Sequence, residues 1–234
     1  MSVATLLYVA NHSGGVLYVI AALLFVSLTV VIERIAFLHR VARDAHAALA
    51  ELDRHKTLSA GTLNAWAERH AGLPTGSVIA AAAQLAGGPD RADRETLAAS
   101  LEEALMREAP RIDRFLWVLD TAVTLAPLLG LFGTIVGMFG AFRVLSDPGG
   151  APTQVTGGVA QALIATASGL FVAMVGLVFF NGLNNRVRIT LHQLDTLKTA
   201  LVNRLTRDVA NPQTVAQPAA GAPFAAVSLA RHGA

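Results

Sequence analysis

Three stretches of this chain are apolar, free of Asp, Glu, His, Lys and Arg, and of a length that restricts them to one kind of structure. Thr121–Phe142 runs 22 residues without a formal charge, and Pro148–Asn185 a further 38, with Val159–Phe180 its strongly apolar part. The third, Val16–Ile32, comes first in the chain and is closed by Glu33-Arg34. About 20 helical residues cross a hydrocarbon layer of about 30 Å. Bilayer hydrocarbon offers no water to satisfy peptide groups, so such stretches must be helices. A mean hydropathy of +0.52, with only 15% of residues charged, agrees with a membrane protein. The first stretch has no basic residue before it and no small-residue cleavage pattern, so it is expected to be a retained anchor, not a signal peptide.

Lys and Arg are placed unevenly around the spans. Residues before the first span hold none, Arg34–Asp120 holds eleven, the corner between the later spans holds only Arg143, and six follow Asn185. The positive-inside rule then puts the N-terminus and that corner outside, and residues 34–120 and the C-terminus in the cytoplasm. The expected plan is a leader over 1–15, spans over 16–38, 115–144 and 155–183, a cytoplasmic helical region over 39–114, a turn over 145–154, a cytoplasmic helix over 184–208 and a disordered tail over 209–234.

The intervening region reads as helical. Val41–Lys56, Ala60–Ala71 and Ser77–Ala86 are rich in helix formers and separated by Gly- and Pro-bearing breaks. Asp90 is an expected N-cap for a helix beginning near Arg91, whose Leu97, Leu101, Leu105 and Met106 imply one buried stripe. That helix is expected to kink or break at Pro110 on its way to the membrane. The fold class is therefore all-α: a polytopic protein with three transmembrane helices, the second and third prolonged into a cytoplasmic helical bundle.

No catalytic or phosphate-binding pattern is present, so an enzyme is not expected. Gly130-Leu131-Phe132-Gly133 lacks the Lys-Ser/Thr of a phosphate loop. The chain has no cysteine, and its seven histidines lack ligand spacing, so neither a metal nor another cofactor is expected. A net charge of +2 does not point to nucleic acid.

Close helix association in lipid relies on small residues. Gly130, Gly133, Gly137 and Gly140 share one face of the second span; Gly158, Ala162, Ala165, Gly169, Ala173 and Gly176 share one face of the third. These stripes predict a packed hairpin, with Pro127, Gly130, Gly133, Gly137, Ala162 and Gly169 as its packing residues. Polar side chains left in or near these spans include Thr121, Thr124, Thr134, Gln161, Thr166, Ser168 and Asn181. A membrane threonine ordinarily bonds its own backbone one turn back, whereas an unpaired amide such as Gln161 needs protein or water. Proton-conducting membrane proteins usually carry an Asp, Glu or His within a span. None lies within Val16–Ile32, Thr121–Phe142 or Pro148–Asn185, so another polypeptide would have to supply the titratable group.

Leu125-Ala-Pro-Leu-Leu-Gly-Leu-Phe-Gly-Thr-Ile-Val-Gly-Met-Phe139 and Gly158-Val-Ala-Gln-Ala-Leu-Ile-Ala-Thr-Ala-Ser-Gly-Leu170, with Asn181 beyond, closely resemble the paired signature helices of the MotA/TolQ/ExbB proton-channel family. The Glu33-Arg34-x-x-x-Leu38 end of the first span is also similar. The resemblance implies a bacterial inner-membrane ring, five copies in the ExbB and TolQ branches, around ExbD/TolR-like single-span proteins that carry an intramembrane Asp. It further implies a TonB-like or Tol-Pal-like periplasmic partner. Thr134 and Thr166 match the family's pore-facing threonines, with Gln161 standing where those branches commonly have an acid. An ExbB-like motor subunit for outer-membrane transport is the favoured reading. A TolQ-like subunit for envelope integrity and a non-conducting membrane scaffold are its rivals.

Overall fold

The computed structural model describes residues 15–55, 58–87, 93–146 and 152–210. Residues 1–14 of the leader, the Gly88-Pro89-Asp90 segment, residues 147–151 of the expected 145–154 turn and the expected tail from residue 211 lie outside them. Six helices are described: α1 Val16–Arg54, α2 Ala60–Arg69, α3 Pro74–Ala86, α4 Arg94–Ile112, α5 Leu116–Leu145 and α6 Pro152–Ala210. No strand occurs among the described residues, and three helical segments are long and apolar enough to cross a membrane. The protein is all-α and polytopic.

The spans that run unbroken into the extramembrane bundle are the first and third, not the second and third. The 39 residues of α1 fuse the first span with the expected helix at Val41, because His39 and Arg40 form no break. Helix α6 runs 59 residues through Asn184 and Asn185 and includes Val209 and Ala210, two residues assigned above to the tail. The second span is set off by an elbow. Helix α4 carries straight through Pro110 to Ile112, and the chain turns only at Asp113–Phe115, where Phe115 takes φ 66°, a left-handed conformation uncommon for a non-glycine residue. The N-cap of α4 is Asp93, whose Oδ1 accepts the Thr96 amide at 3.1 Å, so the helix starts at Arg94.

Below the spans a large apolar core joins all the helices. Leu38, Ala45 and Leu52 of α1 meet Leu63 and Trp66 of α2, Val78 and Ile79 of α3, Leu97, Leu101 and Leu105 of α4, and Leu194, Leu197 and Leu201 of α6. Met106 does not belong to it. At 63% exposure it lies one residue, about 100° of helix, past Leu105, and Ile112 completes the stripe instead. Within the spans the buried cluster is smaller: Val16 and Ile20 of α1 against Ala126 of α5 and Val172 of α6.

Charge pairs tie α6 to its neighbours. The Arg204 guanidinium donates to Asp53 Oδ1 at 2.9 Å and to the backbone oxygens of Leu52 and His55. Lys198 donates to Glu102 of α4 and lies 2.6 Å from Asp195. Asp195 first, then Glu102, holds the Lys198 ammonium above the ordinary lysine range. A raised pKa makes this contribution complete below that range and removes it as pH climbs through the raised value. The thermal stability of wild type should therefore approach that of Lys198→Met as pH passes beyond about 10.4, measured by unfolding in detergent at a series of alkaline pH values.

Candidate functional site

Among the described residues the α5–α6 hairpin is the most extensive helix pairing, and glycine lets it close tightly. A Cβ on Gly169 would lie 2.4 Å from the Ala126 carbonyl oxygen and 3.0 Å from Gly130 Cα. On Gly130 it would lie 3.0 Å from Thr166 Cα, on Gly133 2.6 Å from Ala165 Cβ, and on Gly137 2.8 Å from Ala162 Cβ. The helices thus meet closely from Gly130 to Gly137, with α1 adding Val16 Cγ1 at 3.2 Å from the same Gly133 position. Pro127 sits half-buried inside α5 beside buried Ala126. Gly140 has nothing within 4 Å, so it does not share the hairpin contact that its spacing suggested.

Polar side chains in the hairpin divide by what they bond. Thr121 donates to Trp117 O at 2.8 Å, Thr124 to Asp120 O at 3.1 Å, and Thr134 to Leu131 O at 2.6 Å, all within their own helix. Thr166 differs. Its hydroxyl crosses to α5 and donates to the Gly130 carbonyl oxygen at 2.9 Å. In a regular helix that carbonyl is the acceptor of the Thr134 amide, so Gly130 O is the point on which both threonines converge. The crossing is possible only because Gly130 and Gly169 let the backbones approach. Thr166→Val should cost about 1 kcal/mol through this bond, whereas Thr166→Ser should not, as thermal unfolding of the two variants will report.

Gln161 is half-buried, five residues before Thr166 and about 7.5 Å away along the axis. Among the described residues none hydrogen-bonds its amide. Thr134, Gln161, Thr166 and Ser168 are all half-buried in the single chain. With no Asp, Glu, His, Lys or Arg in Thr121–Phe142 or Pro148–Asn185, these hydroxyls and one amide can orient a proton carrier or water but cannot themselves store a charge. Two carboxylates, Asp113 and Asp120, line a cleft of about 530 Å³ at the elbow, together with Phe115, Trp117 and Asn184.

Sequence reading passed over Arg34 as a topology marker. It is 3% exposed. Its Nε and Nη2 donate to both Glu33 carboxylate oxygens at 2.5 and 2.6 Å, and its Nη1 to Arg111 O at 3.2 Å. The guanidinium also lies 4.7 Å from the Phe37 ring centre and 5.8 Å from that of Phe115. It therefore joins the end of the first span to the strained elbow that starts the second. Its signals in the sequence are a charged pair breaking an otherwise apolar helix and the Glu33-Arg34-x-x-x-Leu38 pattern noted above.

Comparison with known proteins places this geometry. An ExbB-like biopolymer transport protein of Synechocystis sp. is 40% identical over 35% of this chain and 40% of its own length. The biopolymer transport protein ExbB of Xanthomonas campestris pv. campestris is 33% identical over 51% of this chain and 52% of its own. The Tol-Pal system protein TolQ of Haemophilus influenzae is 41% identical over 36% of this chain and 37% of its own. The chain thus spans about two fifths to a half of the length of these relatives. Residues 70–196, which hold the elbow and both membrane spans of the hairpin, match the model of one family. The chain belongs to the MotA/TolQ/ExbB proton channel family.

Proposed function

We propose that this chain is the ring-forming subunit of a proton-driven motor of the ExbB kind, in a bacterial inner membrane. The observation that carries the reading is a tightly locked α5–α6 hairpin bearing Thr134, Thr166 and Gln161 but no ionisable side chain in Thr121–Phe142 or Pro148–Asn185. Such a wall is half of a proton path. An ExbD/TolR-like single-span partner supplies the other half, an intramembrane Asp that the Thr hydroxyls and the Gln161 amide orient by hydrogen bonding. Copies of this chain, five in the proposed ring, surround the partner, with the N-terminus periplasmic and the helical bundle cytoplasmic. Proton passage then turns the partner against the ring and moves a TonB-like protein that serves outer-membrane transport.

The test is proton flux into proteoliposomes under an imposed potential. The chain with a co-expressed single-span, Asp-bearing partner is expected to conduct; the chain alone is not. A Thr134→Val, Thr166→Val double variant should fall to near background while still binding the partner. Flux through the chain alone, or full flux in the double variant, would overturn the assignment. An absence of flux with any partner leaves a scaffold. The likeness to Haemophilus influenzae TolQ supports a second reading, service to a Tol-Pal system, and the periplasmic protein that co-purifies with the complex separates the two.

A further inference from the structure

Helix α1 presents an outward stripe that changes character at the membrane edge. Phe25, Leu28, Ile32 and Ile35 repeat at helical spacing and are 73, 47, 62 and 40% exposed. From Phe25 to Ile35 the helix rises about 15 Å, the depth of one leaflet of a hydrocarbon core about 30 Å thick. The same stripe continues through Ala36 into His39, Arg40, Arg43 and His46. There it stops being a plain helix surface and becomes one wall of a groove of about 730 Å³, with Leu73 opposite.

That opposite wall is braced. The α2–α3 turn is held by Arg111 Nη2 donating to Gly72 O at 2.9 Å, and by His70 Nδ1 at 2.7 Å from Asp44 Oδ1. Asp44, the carboxylate of the groove, meets His70 through Oδ1 while its Oδ2 is buried without a hydrogen-bond partner, and His46 Nε2 lies 3.0 Å from the Gln193 amide. Some arginines of the bundle have carboxylate partners, as Arg69 with Glu51, Arg107 with Glu103 and Arg204 with Asp53, while Arg54, Arg94, Arg114, Arg186 and Arg188 have none among the described residues but do not line this groove. Among the described residues Arg40 and Arg43 have none. Two unneutralised guanidiniums in a walled groove, directly below a leaflet-deep apolar stripe, match an amphiphile with an anionic head.

We propose that this groove binds one anionic phospholipid, its phosphate on Arg40 and Arg43 and its acyl chains along Phe25, Leu28, Ile32 and Ile35. General positive-inside anchoring would spread the same attraction over every arginine at the membrane edge. A seated lipid depends on these two and on the apolar stripe above them. The site is independent of proton conduction and stands or falls without it.

The experiment is native mass spectrometry of the full-length protein extracted from nanodiscs of equal phosphatidylglycerol and phosphatidylethanolamine. Wild type is expected to retain phosphatidylglycerol selectively. Arg40→Gln with Arg43→Gln should lower that retention about tenfold or more, since each guanidinium at the surface multiplies anionic-lipid affinity several-fold. Ile32→Ala with Ile35→Ala should also lower it, which a site for free phosphate would not show, and added inorganic phosphate should not displace the lipid. All four side chains are exposed, so the fold should survive, as thermal unfolding checks. Retention equal to wild type in the arginine pair, an equal loss in an Arg107→Gln, Arg114→Gln control, or no effect of the apolar pair would each overturn the proposal.

Discussion

Gly169→Ala is expected to stop the α5–α6 hairpin from closing, lowering stability by about 2–3 kcal/mol, at the upper end of overpacking costs. The added methyl would stand 2.4 Å from the Ala126 carbonyl oxygen and 3.1 Å from Gly130 N. Both are backbone atoms of a helix, so no rotamer change relieves the clash. Either the helices separate or one of them bends. Separation also breaks the Thr166–Gly130 hydrogen bond and opens the small-residue seam that replaces hydrophobic attraction in lipid. Alanine's better helix propensity opposes this by up to about 1 kcal/mol, which is too little to reverse the sign. Gly140→Ala is the matched control. Nothing lies within 4 Å of that position, so it should be neutral or slightly stabilising in the single chain. Thermal unfolding of the two variants in one detergent gives the comparison. Equal stability would mean that the hairpin is not closed by glycine contact.

Arg34→Ala is expected to cost about 2–3 kcal/mol, a discounted form of the 3–5 kcal/mol seen when a buried ion pair loses one member. The discount follows from Glu33, whose carboxylate is 48% exposed and can turn to water once it is alone. Arg34 itself is 3% exposed, and its loss leaves a cavity between Phe37 and Phe115. It also frees Arg111 O in the last turn of α4 and withdraws the stacking that helps hold Phe115 at φ 66°. Arg34→Lys should not rescue, because an ammonium can neither bridge both Glu33 oxygens in plane nor stack on two rings. Hydrogen exchange should show the damage as lost protection over residues 111–118, with the Leu194–Leu201 part of the core unchanged. Uniform loss across the bundle, or rescue by lysine, would count against Arg34 as the brace of the elbow.

How much of this was legible beforehand depends on the range of the forces involved. The spans were legible because length, charge and apolarity within one short window decide whether a segment can sit in hydrocarbon. The small-residue stripes and the Leu97, Leu101, Leu105 repeat were legible for a related reason, since helical period alone brings those residues to one face. Met106 and Gly140 show where period fails. Each lies near a face that packs, yet docking angle and helix rotation leave one exposed and the other open. Pro110 was a reasonable place to expect the break, but its missing donor is tolerated close to the end of α4, and the turn falls where Arg34 and Phe115 meet.

Local chemistry along the chain was therefore enough to make this an all-α membrane protein with an uncharged, hydroxyl-bearing hairpin. No short window could say that Thr166 would leave its own helix for Gly130 O, or that Arg34 would be buried against an elbow some eighty residues later in the chain. Those outcomes required two backbones to be brought within van der Waals contact, and only the packed helices decide which donor then finds the nearer acceptor.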